Sequence, residues 1–292
     1  MAKYIGTYAT SGDVQTALDN QELSRPFIAY TTDNEKVIYG PNADRAEAGD
    51  IVVYSVADDL LHYIKQADYN TTSYPAASYV PVGVVAYPQN DDAILGPSGE
   101  ITFMGLNWLD RYNPDNGRTS RVNAEWGYSN FDIPELTNYT SSGAAITDMN
   151  GKANTQVVLN YATAQTDWRT ASAITFANEA GYYPLFECVW RYHTSGTSQG
   201  DWFVPACGQV WKSVRTQTTI DTISAGYALL GRTGNDYIMG KIRFGTSTEH
   251  GRDNAWSLKD GSYPNCYFTA QSKWSSNDFC ARPFCSKLMT RI

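Results

Sequence analysis

The chain has 292 residues, with 22 basic against 30 acidic side chains and a formal charge of -8. This length predicts two or more compact units with real cores, and the acidic balance repels phosphate backbones, so nucleic acid is not an expected partner. No stretch approaches the roughly 20 apolar residues of a membrane span, and the N-terminal MAKYIGTYATSGDV lacks the apolar run of a signal peptide. A soluble protein made in a cytoplasm, without membrane insertion, is the expectation.

Ser11-Gly12-Asp13 offers a cap for a short helix reaching about Asn20, with Val14, Ala17 and Leu18 on one face. Phe27 to Tyr30 and Val37 to Tyr39 read as two strands around a polar turn, and the stretch from 41 to 49 is a linker. Ile51 to Ser55 and Leu60 to Ile64 flank Ala57-Asp58-Asp59 as a hairpin. Val80 to Tyr87 is almost wholly apolar, so both of its faces are expected to be covered, with Ile101 to Trp108 as a partner strand. Residues 111 to 165 carry no motif.

Helical spacing begins later. Thr170 caps a predicted helix carrying Ala173, Ile174, Ala177 and Ala180 to Gly181, and Pro184 opens another with Leu185, Cys188, Val189 and Tyr192 in register. A third helix starts near Ala206 and buries Val210, Trp211 and Val214, after a short strand in Asp201 to Pro205. The window from Gly245 to Phe279 has no Ile or Val, yet holds Trp256, Tyr263, Tyr267, Phe268, Trp274 and Phe279 among small polar residues. Rigid rings among adaptable polar groups are the mixture of recognition loops. Cys280 to Phe284 reads as a last strand returning to the core.

Chemistry-bearing sets are scarce. The five cysteines, Cys188, Cys207, Cys266, Cys280 and Cys285, form no CxxC pair and no zinc spacing, so reduced thiols and no metal or other cofactor are expected. His62, His193 and His250 fall in three separate segments, with no acid/base spacing. Glu249 reads as structural, its carboxylate accepting backbone amides in a bend. Trp202, Trp211 and Phe284 read as core rings.

Three segments then stand in a telling order: Gly200-Asp-Trp-Phe-Val-Pro-Ala-Cys-Gly-Gln-Val-Trp211, then Gly245-Thr-Ser-Thr-Glu249 with Asn254-Ala-Trp256, then Ala281-Arg-Pro-Phe284. This order resembles the C-type-lectin-like domains of phage and bacterial proteins, including variable proteins diversified by retroelements. Tyr4 to Val14 and Pro81 to Pro88 are similar to N-terminal parts of virion proteins from phages of gut bacteria, notably crAss-like ones. The Glu-Pro-Asn or Gln-Pro-Asp and Trp-Asn-Asp motifs of calcium-dependent sugar-binding lectins are missing, so a calcium-bridged monosaccharide site is not expected.

The resemblance implies an α+β chain: a virion attachment region over 1–45, a small β module over 46–112 and a C-type-lectin-like domain over 113–292. It implies a non-enzymatic tail or head fibre protein on the virion surface that displays a receptor-binding domain for host attachment. The expected partners are other virion proteins through the N-terminal region and a host cell-surface protein or glycan, with a homotrimer as the assembly. The expected ligand contacts are His250, Arg252, Asp253, Asn254, Trp256, Tyr263, Asn265, Tyr267, Trp274, Asn277 and Asp278. Two alternatives remain open: a purely structural capsid or tail decoration protein, and a copper-dependent thiol oxidase. The latter rests on Cys280 and Cys285, which share the five-residue spacing of the architecturally similar formylglycine-generating enzymes.

Overall fold

The computed structural model describes residues 3–10, 13–14, 16–17, 27–32, 36–40, 45–88, 100–107, 110–113, 118–121, 126–127, 132–164, 183–232, 244–259, 267–273, 279–280 and 282–292. The N-terminal segment forms its own sheet: β1 (Lys3–Tyr8) runs parallel to β2 (Phe27–Thr31), which pairs antiparallel with β3 (Lys36–Gly40). Between β1 and β2, Asp13, Val14, Thr16 and Ala17 are helical. Thr10 caps this turn; Ser11, the expected cap, lies outside the described residues. The Thr10 hydroxyl accepts from the Asp13 N–H at 3.2 Å, and the Asp13 carboxylate accepts from the Thr10 N–H at 2.8 Å, a reciprocal box that satisfies two donors of the first turn.

Beyond residue 45 a seven-stranded sheet organises the chain. β4 (Ile51–Ser55) and β5 (Leu60–Ile64) form the predicted hairpin, β6 (Tyr79–Val85) takes the other edge of β4, and β7 (Glu100–Gly105) pairs with β6. The next neighbour of β7 comes from the far end of the chain. β14 (Phe284–Leu288) lies antiparallel to β7, with Phe284 opposite Met104 and Cys285 opposite Phe103. β10 (Trp202–Phe203) closes that edge, and β15 (Thr290–Arg291) runs parallel to β5 at the opposite one. The boundary expected at residue 112 is therefore corrected: strands from 46–112 and from 113–292 share one hydrogen-bonded ladder. Side chains from both faces of β4, β6 and β7 are buried, and without β14 one edge of β7 would be unpaired, so the later chain supplies both the cover and the neighbour.

Alternation along the strands sets two cores. Val52, Val85, Phe103 and Cys285 belong to one apolar cluster, while Ile51, Val53, Val84, Met104 and Phe284 belong to the other. The first cluster is filled by α2 (Gly151–Ala164) and α3 (Pro184–Arg191) through Val158, Leu159, Leu185, Phe186 and Val189. The second is filled by α4 (Cys207–Val214), α5 (Gln217–Leu229) and a small antiparallel sheet of β11 (Phe244–Glu249), β12 (Asn254–Lys259) and β13 (Tyr267–Ser272). α1 (Ser142–Ala145) is one turn capped by Ser141, and β8 (Asp110–Asn113) pairs with β9 (Arg118–Arg121) as a ribbon.

α3 and α4 match the expected helices, with Pro184 at the first turn of α3; Trp211 on α4 is only half-buried, against Phe268. The helix expected from 170 to 181 lies outside the described residues. α2 and α5 were not anticipated. α5 reaches the root of β4 through two glycines: a Cβ on Gly226 would sit 2.5 Å from the Gly49 carbonyl oxygen, and Gly49 itself has φ +91°. Gln66 locks the contact, its Nε2 donating to the Thr222 carbonyl at 2.7 Å. Among the described residues no helix is long and apolar enough to cross a membrane.

Candidate functional site

The expected recognition segment stands on a polar base that is wholly interior. Thr246, Ser247, Thr248 and Glu249 are at most 1 % exposed, so they form a core strand rather than the root of a loop. Each buried hydroxyl or amide needs a partner there. Thr246 donates to the Trp256 carbonyl at 2.6 Å, and the Ser247 N–H donates to the Pro205 carbonyl at 2.8 Å. Thr248 donates to the Asp148 carboxylate at 2.8 Å and accepts from the Cys207 N–H at 2.9 Å. These bonds tie the 202–211 and 245–256 segments, far apart in sequence, into one network.

Glu249 takes a partner that the sequence does not signal. Its carboxylate accepts from the ammonium of Lys273, and both side chains are fully buried. The Lys273 nitrogen also lies 4.9 Å from the centre of the Trp126 ring. Burial pushes Glu249 up to about 7 against the pull of Lys273, and burial pushes Lys273 down against the pull of Glu249. Backbone amides, the expected donors to this carboxylate, are secondary to the ion pair. Lysine is a surface residue by type, so nothing in the pattern marked position 273 as interior.

Above that base, His250 to Asn254 make a compact turn. The N–H groups of His250 and Gly251 donate to the Asn254 carbonyl at 3.1 and 3.2 Å, and the Lys273 N–H donates to the Asp253 carbonyl at 3.0 Å. Arg252 and Asp253 are exposed, while His250 and Asn254 are half-buried. The expectation that Trp256 contacts ligand is corrected: the ring is 5 % exposed, packs in the second apolar cluster and donates its indole N–H to the Tyr139 carbonyl at 2.7 Å. Strand alternation places it there, on the same inward face as Leu258. His250 instead meets the Trp256 ring edge-on at 5.1 Å.

Tyr267 is 52 % exposed, with the Lys259 ammonium 5.9 Å from its ring. It does not share a patch with the turn. Lys259 and Tyr267 face each other at one end of the β12–β13 ladder, and Asn254 lies at the other, five strand steps or about 17 Å away. Tyr263, Asn265, Trp274, Asn277 and Asp278 lie outside the described residues.

The remaining chemistry-bearing groups do not assemble. Cys280 packs in the second cluster and Cys285 in the first, so the two thiols sit among different side chains, and burial pushes Cys285 up to about 12. His62 bridges Asp58 at 2.8 Å and Thr290 at 3.0 Å, which fastens β15 to the sheet; His193 is exposed elsewhere. Among the described residues no group of three or more His, Cys, Asp or Glu could hold a metal ion.

A concave surface lies where no sequence pattern announces one. A cleft of about 480 Å³ opens between α2 and the β10 edge of the large sheet, lined by Lys152, Gln156, Trp190, Trp202, Glu100 and Ser286 among others. Of its lining, Gly200, Trp202, Phe203 and Gln209 belong to a segment the sequence singled out, and the reading of Trp202 as a core ring agrees with its 1 % exposure. Comparison with protein-family models, curated proteins and solved structures finds no match.

Proposed function

We propose that this chain is a bacteriophage virion-surface protein, part of a tail or head fibre, that displays a C-type-lectin-like binding module for adhesion to the host. The observation that carries the reading is the Arg252-Asp253 turn: two exposed, opposite charges mounted on a strand whose every side chain is interior. Variable contact groups on a rigid scaffold are how recognition surfaces are generally built. Further support comes from the convergence of the three motif segments. Trp202 and Phe203 pair with Cys285 and Phe284, and Ser247 and Thr248 bond to Pro205 and Cys207.

The formal charge of -8 favours a host protein or glycan over nucleic acid as ligand. Separation of Cys280 from Cys285 favours binding over copper-thiolate oxidation. The self-contained N-terminal sheet is suited to contact other virion proteins, and a homotrimer remains the proposed assembly.

The test is binding of the labelled full chain to a panel of gut bacteria, beside the Arg252→Ala/Asp253→Ala variant. Saturable binding by the wild type, weakened at least tenfold in the variant, is expected. A well-folded wild type that binds no cell would favour the structural decoration role instead.

A further inference from the structure

We propose that the cleft between α2 and the β10 edge is a second binding site and that its ligand is a neutral saccharide. The inference rests on the adhesion reading for its biological role and on the cleft alone for its chemistry. At about 480 Å³ the cleft is within the size range of small-molecule sites. Its floor is held rigid: the Trp202 indole donates to Thr197 at 2.9 Å and is clasped edge-on by Phe103 and Tyr192, with ring centres at 5.3 and 4.9 Å.

Trp190 supplies the aromatic wall. It is half-buried, and among the described residues its indole N–H has no acceptor. Gly200, at φ +89°, lies beside it; a Cβ there would come within 3.3 Å of the indole nitrogen, so glycine leaves that edge of the ring uncovered. The flat C–H face of a pyranose fits such a ring, because stacking buries apolar carbon while the hydroxyls stay at the rim.

The polar groups specify a neutral ligand. Lys152 and Gln156 are exposed at i, i+4 on α2, and Glu100 and Ser286 stand on the sheet edge. Among the described residues neither Lys152 nor Glu100 has an ion-pair partner, whereas the nearby Asp201 and Lys287 neutralise each other at 2.6 Å. Among the described residues that line the cleft, one cation and one anion, Lys152 and Glu100, balance and leave no net field to draw in a phosphate or a carboxylate. Hydroxyl groups, which both donate and accept, match a wall that offers an ammonium, an amide, a carboxylate and a serine.

The experiment follows the indole N–H resonances of the full chain by nitrogen-15 NMR during titration with methyl hexosides and N-acetylhexosamines. The Trp190 signal, identified by its loss in Trp190→Phe, is expected to move saturably. Lys152→Ala/Gln156→Ala should weaken that response at least tenfold while leaving the other indole signals in place. The proposal is overturned if no glycoside moves the Trp190 signal, if only a zwitterionic dipeptide does, or if the double variant responds like the wild type. Arg252→Ala/Asp253→Ala keeps the glycoside response, so a cleft that binds sugar on a chain that binds no cell would refute adhesion and leave this site standing.

Discussion

Lys273 and Glu249 form an ion pair with no exposed surface, so what they contribute depends on both being present. Removing only the cation strands a carboxylate in the core, at a cost of about 3–5 kcal/mol, whereas an apolar pair of similar volume is close to neutral. Lys273→Met should therefore lower stability by about that amount, and Glu249→Leu/Lys273→Met should recover most of it in urea unfolding. Losses that simply add would show that the two side chains do not act as a pair. Glu187 makes a different prediction, in pH. It is 2 % exposed, and burial pushes it from 4.5 up to about 7 against the pull of Arg191 and the Tyr183 amide. An acid with a raised pKa holds its proton more tightly when folded, so its contribution is full below about 4.5 and is lost as pH rises to about 7. Glu187→Gln should remove that loss, making the variant more stable than the wild type by about 3 kcal/mol at pH 8, with the difference vanishing near pH 4.5. A difference that stays constant with pH would rule out Glu187 as the titrating group. Both positions were silent in the sequence for the same reason. Charged residues are read as surface by type, and only the fold reveals an interior one, just as Trp256 was read as a contact by type and is interior by strand alternation.

At the scale of elements, legibility followed local strength of pattern. The β4–β5 hairpin, the covered strand β6 and helix α3 with its opening proline all stand where period and turn residues placed them. α2 and α5 were missed because Thr and other β-branched residues run through both, with Asn154 and Asn160 in α2 and Gly226 in α5; their intrinsic preference for helix is weak and packing on the sheet supplies the rest. Gly226 shows how that packing overrides propensity. Alanine would favour an isolated helix by about 1 kcal/mol. Here its Cβ would meet the Gly49 carbonyl oxygen at 2.5 Å, a backbone atom with little room to move. Gly226→Ala should then destabilise by about 1–3 kcal/mol through overpacking. Gly143→Ala in α1 meets nothing within 4 Å and should be neutral or mildly stabilising, so equal effects of the two in thermal unfolding would dispose of the close-approach argument.

Across the whole molecule, periodicity identified strands but not their partners. β14 and β7 are some 180 positions apart, with Phe284 opposite Met104, and no local pattern encodes such a pairing. A boundary at residue 112 looked natural because the run of strands read from 51 to 108 ends there and residues 111 to 165 carry no motif, yet the sheet runs across it. A fragment of residues 113–292 would keep only the two-residue β10 beside β14 and would lose Val52, Val85 and Phe103 from one core and Ile51, Val53, Val84 and Met104 from the other. Those side chains are central to both clusters, so the fragment should be compact but loosely packed, binding ANS and lacking near-ultraviolet circular dichroism. Adding residues 1–112 as a separate chain should restore a fixed core, because the ladder between β7 and β14 is non-covalent and can form between chains. The expected readout is one cooperative urea transition for the co-expressed pair and none for 113–292 alone. Cooperative unfolding of the isolated fragment would show instead that residues 113–292 carry a complete core, and that the strands from 51 to 105 merely dock on its edge.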